Sequence, residues 1–358
     1  MMYYLKCLIV LGLFISLGSC RTSPAETSSA YLLVEGKTMG TYYKVKYADE
    51  SGRDFKPQFD SLLKAINLEV STYIPAATIS QFNKADTDFP LSYNPKSQAQ
   101  EAGYANLHFK ANYERSRSIF EEMEGYYDPT VMPLINYWGF GYTEKRKVAA
   151  VDSILIDSLI QLVGFDQVVL DEESQELRKE KPGVQLDFSS CAKGYAVDAL
   201  AGLLFENGIE HYMVEIGGEV TVKGVNPSGN AWSIAVSLPR DGSALEEIQA
   251  ILALNNVAVA TSGNYRIFYE VEGEKYAHII NPLTGFTERS NLLSVSVLAS
   301  DCMTADAYAT AFMVMGIEKS LAFAQGKPDL EAYFIFSQPD GTMAVSYTDG
   351  IPAVLKEL

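Results

Sequence analysis

Residues 185–200 read QLDFSSCAKGYAVDAL, and the rest of the chain is organised around them. Val184–Phe188 has the apolar pattern of a buried strand end. Ser189 and Ser190 carry hydroxyls that accept from free N–H groups of a first helical turn, so a helix start is expected there. Ala192–Phe205 repeats apolar residues at helical spacing, and Asn207-Gly208 supplies the stop. One carboxylate (Asp187), two hydroxyls and one ammonium (Lys193) therefore meet at a strand-to-helix corner. A helix N-terminus draws phosphate through its free N–H groups and dipole. Asp187 repels phosphate unless a divalent cation lies between them. That conflict points to a metal–nucleotide site, although an ordinary capped turn fits the same residues.

Composition narrows the choice. The 358 residues are 47% hydrophobic and 20% charged, as in a globular protein with ample core. A formal net charge of −17 argues against nucleic acid, whose binding begins with phosphate neutralisation. The four cysteines are too few for a disulfide scaffold, and the three histidines are scattered. A hard, oxygen-liganded cation such as Mg2+ suits this inventory best.

Met1–Cys20 reads as a targeting segment, with Lys6 as its only charge and Cys7–Leu17 too short to span a membrane. Leu17-Gly18-Ser19-Cys20 resembles a bacterial lipobox, so Cys20 is expected to be lipidated and to anchor the protein outside the cytoplasm. Residues 21–30 (RTSPAETSSA) read as a flexible tether, and residues 31–358 as the functional domain. Tyr31–Tyr47 predicts a strand pair turning at Gly36 and Gly40. Helices are expected at Pro57–Thr72, Pro95–Met123, Asp152–Val163, Thr304–Met315 and Glu318–Gln325, and a short one ends the loop segment Ser71–Asn83. Gly125–Gly141 reads as a rigid loop. Strands are expected at Gln167–Leu177, Tyr212–Val225, Trp232–Leu238, Asn255–Thr261, Tyr265–Val271, Lys275–Asn281, Leu292–Ala299, Ala332–Phe336 and Met343–Tyr347. Antiparallel runs interrupted by helices make the class α+β, with antiparallel sheets covered by helices.

Chemistry concentrates in a few places. Asp306 and Thr310 are four apart on a helix and share a face, with alanines leaving room beside them. A carboxylate and a hydroxyl so placed can ligate a hard cation together with Asp187 and Ser190. His278 ends a strand and suits proton transfer near neutral pH. Asn264 and Arg266 lie in a turn with N–H groups to offer. The loop aromatics Tyr73, Tyr126, Tyr127, Trp138 and Phe140 can hold a flat ring, or simply pin their loop to the core. Cys191 and Cys302 receive no role.

In order, MGTYYKVKY, STYIPAATISQFN, GYYDPTVMPLINYWGFG, LDFSSCAKGYAVD, VEIGGEV, ATSGNYRIF, HIINPLTGF and MTADAYATAF resemble the ApbE family of FAD:protein FMN transferases. The resemblance implies a T-fold-like architecture and an enzyme that uses Mg2+ to move the FMN half of FAD onto a Thr or Ser hydroxyl, releasing AMP. It implies flavin-nucleotide contacts at Met39, Tyr73, Tyr126, Tyr127, Asp128, Asp187, Lys193 and Ile280. It implies Mg2+ at Ser190, Asp306 and Thr310 with Ala309 adjoining, and His278 as base. The implied acceptors are proteins such as subunits of NADH:quinone reductase and Rnf-type complexes. Asn281 stands where the family usually has an acid. Two alternatives stay open: an FAD pyrophosphatase giving FMN and AMP, and a non-catalytic FAD-binding lipoprotein.

Overall fold

The computed structural model describes residues 31–356 except 144, 146, 149, 240–246 and 266, so Cys20, the tether and Arg266 lie outside the described residues. Its centre is an open eight-stranded sheet in which spatial order follows chain order: Tyr31–Thr38, Thr41–Ala48, Tyr212–Ile216, Glu219–Lys223, Val257–Gly263, Leu292–Ala299, Glu331–Ser337 and Met343–Tyr347. Every adjacent pair is antiparallel. The expected α+β class is therefore observed.

Side-chain alternation gives the sheet two apolar faces. Val45, Val214, Ala258, Ala260, Val295, Val297 and Phe334 face a helical layer made of Lys56–Val70, Leu107–Glu122, Ala192–Glu206 and Cys302–Met315. Val220, Val222, Val259, Leu298, Tyr333 and Ile335 face a small sheet of Trp232–Ser237, Ile248–Leu254 and Leu355–Lys356. A third cluster around Trp138, Tyr137, Tyr269, Tyr276 and Ile280 gathers beside the helical layer.

Two helices dominate the placement of the site. Ala192–Glu206 and Cys302–Met315 touch almost backbone to backbone. A Cβ built on Gly194 would lie 2.3 Å from the Cys302 carbonyl oxygen and 2.7 Å from Met303 Cα. Lower on the first helix, Asp198 accepts from the free N–H groups of Cys302 (2.9 Å) and Met303 (2.8 Å). Asp301 caps the second helix by accepting from Thr304 N at 2.8 Å.

Local departures have identifiable causes. Ser189 and Ser190 do not cap the corner helix, whose N-cap is Cys191 without a side-chain bond. Ser189 N and Oγ donate instead to the Asp187 carboxylate. Residues 184–188, expected as a strand end, join no ladder. Asn83 exchanges two hydrogen bonds with the Leu186 backbone, and Asp187 N donates to Pro129 O. The expected helix Pro95–Met123 starts only at Leu107. Gln98, Gly103 and Asn106 all have positive φ there, which a right-handed helix excludes. The rigid loop Gly125–Gly141 contains a short helix, Met132–Tyr137. Gly36 is a strand position covered by the Tyr43 ring, and the hairpin turns at Met39-Gly40 alone.

These contacts predict a contrast between two glycines of one helix. Gly194→Ala is expected to destabilise by about 2 kcal/mol or more, because the methyl group meets rigid backbone. Gly202→Ala, where a Cβ meets nothing within 4 Å, is expected to stabilise by about 0.5–1 kcal/mol through helix propensity. Urea midpoints of the two variants check the contrast.

Candidate active site

A cleft of about 410 Å3 opens where the two helices, the sheet and the aromatic cluster meet. Its lining takes in Tyr73, Tyr126, Tyr127, Asp128, Asp187, Ser190, Lys193, His278, Ile280, Asp306 and Thr310, all of them singled out in the sequence. Met39 and Ala309 are not among the lining residues. Met39 packs against the main core at the hairpin tip, and Ala309 is fully buried within that core. The tip still adjoins the cleft: a Cβ on Gly217, which lines it, would lie 2.9 Å from Thr41 Cγ2.

The polar floor is built by the helix pair. Asp306, 3% exposed, accepts from Gly194 N at 3.1 Å, and its other oxygen stands 3.7 Å from Lys193 Nζ. Lys193 Nζ donates to Glu219 Oε1 at 2.7 Å. Burial pushes the Asp306 carboxyl up to about 7 against the opposing pull of Lys193. The two carboxylates hold the Lys193 ammonium well above its usual range in spite of burial. One turn on from Asp306, Thr310 Oγ1 lies 3.4 Å from Ser262 Oγ. Asp187 is raised by burial and steadied by Ser189. Among the described residues no group of three or more His, Cys, Asp or Glu side chains is close enough to hold a metal ion. Asp306, Thr310 and Ser190 present carboxylate and hydroxyl oxygens to the cleft, a donor set that fits a hard cation.

His278 faces this floor from the opposite wall. Its Nδ1 lies 3.1 Å from the Ile267 carbonyl oxygen, which only accepts, so Nδ1 carries the proton and Nε2 keeps its lone pair. Burial lowers the imidazole's affinity for a second proton, and the Lys193 charge adds to this. The result is a neutral ring with the tautomer of a base.

The aromatics divide between pinning and lining. Trp138 Nε1 donates to Gly285 O at 2.9 Å, and its ring stacks on Tyr276 at 5.5 Å. Phe140 stacks on Tyr269 at 5.3 Å and meets His278 edge-on. Tyr127, 2% exposed, bonds to Ser116 beneath the floor. Tyr73, by contrast, is 65% exposed at the rim. Asn264 does not offer its donors to the cleft. They bond the Leu292 and Leu293 carbonyls. Asn281 keeps a turn in place by accepting from Leu283 N (2.9 Å), and its amide donates to Glu288. Cys191 is buried, and burial pushes its thiol up to about 12, which leaves it inert. Glu219 is the participant that the sequence reading missed. It stands in VEIGGEV, and the Gly217-Gly218 turn, with φ +63 and +108, brings it back beneath Lys193.

An α+β protein whose two clamped helices present carboxylate, hydroxyl and ammonium groups to one cleft is the class that fold and site define. The ApbE family model matches residues 39–334, and the chain belongs to the ApbE family. It is 34% identical over 349 residues to the FAD:protein FMN transferase of Haemophilus influenzae, covering 95% of this chain and 94% of that protein. The FAD:protein FMN transferase of Vibrio cholerae is 34% identical over 338 residues, covering 93% and 94%. Among solved structures, the flavin transferase ApbE from Vibrio cholerae superposes with a TM-score of 0.78 at 32% identity, covering 91% of this chain and 99% of that one. The apo flavinyl transferase ApbE of Pseudomonas stutzeri gives 0.77 at 28% identity, with coverages of 91% and 96%.

Asp128 supplies a pH test of this floor. Its Oδ1 accepts from Thr130 N at 2.7 Å and from Thr130 Oγ1, yet burial pushes the carboxyl up to about 6. A folded value above the unfolded one of about 4 means that stability present at low pH is lost as pH rises from 4 through 6, by about 3 kcal/mol at most. Asp128→Asn keeps an oxygen for both bonds and has no charge to bury. Its unfolding free energy relative to the parent is expected to rise between pH 4 and pH 7.5, as measured by chemical denaturation across that range.

Proposed function

We propose that the chain is an Mg2+-dependent FAD:protein FMN transferase that joins FMN through a phosphoester to a Thr or Ser of an acceptor protein and releases AMP. One observation carries the reading: Asp187, Ser190, Lys193, Asp306 and Thr310, drawn from two distant segments, line one cleft with His278 opposite. The acceptor oxygen attacks the FMN phosphorus, the bond to the bridging oxygen breaks, and AMP leaves with that oxygen. His278 Nε2 takes the hydroxyl proton. Lys193 steadies charge on the phosphate oxygens, and Asp306, Thr310 and Ser190 hold the cation. Mg2+ bound there would supply positive charge to the pyrophosphate and the departing AMP. Tyr73 and Tyr126 border the flavin. The acceptors are flavin-carrying proteins such as subunits of NADH:quinone reductase or Rnf-type complexes. Cys20 carries acyl chains that hold the enzyme to a membrane on its extracytoplasmic side.

The deciding experiment incubates the protein with FAD, Mg2+ and a Thr-containing acceptor. Flavin fluorescence on the denatured acceptor band, with AMP in equal amount, is expected. Free FMN and AMP without a labelled band would instead make it a pyrophosphatase, and no AMP at all a binder. Asp306→Ala is expected to abolish labelling. His278→Asn is expected to slow it by about 100- to 10,000-fold while FAD binding changes little. Equilibrium FAD titration alongside the rate assay separates the two effects.

A further inference from the structure

Glu219 is 4% exposed and lines the floor of the cleft. Its Oε1 accepts from Lys193 Nζ at 2.7 Å, and its Oε2 has no hydrogen-bond partner. Three buried side-chain oxygens lack a partner among the described residues, and Glu219 Oε2 is the charged one of the three. A carboxylate oxygen buried without a partner is costly and calls for one. One ammonium is here divided between two carboxylates, since Lys193 Nζ also stands 3.7 Å from Asp306 Oδ1. Two carboxyl groups thus share one ammonium, and Glu219 Oε2 is left without a partner.

We propose that Glu219 is the second carboxylate of the cation site, and that Lys193 holds the cation's place between Glu219 and Asp306 while the cleft is empty. The proposal rests on the reading that the cleft takes a divalent cation. When a dinucleotide enters, Lys193 turns to its phosphates and frees the carboxylate pair. Cation and dinucleotide then favour each other's binding through one side chain. A lysine that served phosphate alone would have no call for a buried partner with a spare oxygen.

Mn2+ titration of the FAD-free protein, followed by electron paramagnetic resonance, tests this without reference to activity. The parent is expected to bind Mn2+ and Asp306→Asn to lose it. Glu219→Gln is expected to weaken binding about tenfold or more, and Lys193→Met to tighten it by a similar factor. If Asp306→Asn loses Mn2+ while Glu219→Gln titrates like the parent, the assignment of Glu219 is overturned and the cation reading stands. If neither the parent nor Lys193→Met binds Mn2+, the cation reading itself falls. Should Glu219→Gln fail to fold, Lys193→Met decides, since an unchanged or weaker constant contradicts the place-holding role.

Discussion

Everything in the cleft hangs on how closely two helices approach. Gly194 lets the backbone of Ala192–Glu206 touch that of Cys302–Met315, with no space left for a methyl group. Asp198 then locks the crossing by taking the first two N–H groups of the second helix. A carboxylate in that position satisfies orphan donors and complements the helix dipole. The same approach lets Gly194 N reach Asp306, so packing and site geometry depend on one contact.

That contact also sets the electrostatics. Clamped helices exclude water from Asp306, which is why burial dominates its raised proton affinity. Lys193, 3.7 Å away, pulls the other way, so the fold holds two opposed effects on one carboxyl. The opposite wall has a separate source of rigidity. Phe140, Tyr269, Tyr276 and Trp138 stack in sequence, and through Phe140 they bear on His278. The floor thus supplies charge, and the wall supplies an oriented neutral base.

Much of this was legible in the sequence, for physical reasons. Leu292–Ala299 and Met343–Tyr347 match their expected bounds; the first is the continuous apolar run of a buried strand, and the second is a partly exposed edge strand. Asp306 and Thr310 were legible because both lie on one helix, where spacing fixes direction. The helix after Asp187 matches expectation, but the strand before it and the capping do not, since residues 184–188 join no ladder and Ser189 has a closer acceptor than the helix N-terminus. Pro95–Asn106 looked helical because positive φ values leave no mark in hydrophobic periodicity. The strand Ile248–Leu254 was overlooked altogether. Glu219 had no local signal, because its partner Lys193 is 26 residues away and the fold alone joins them.

The most direct trial of the account is a crystal structure of the protein with FAD and Mn2+, with the metal located by its anomalous scattering. The account predicts an anomalous peak at Asp306, within reach of Thr310 and Glu219, with the pyrophosphate beside it and Lys193 turned onto the phosphate oxygens. A peak remote from Asp306, or FAD bound outside the cleft between the two helices, would contradict it.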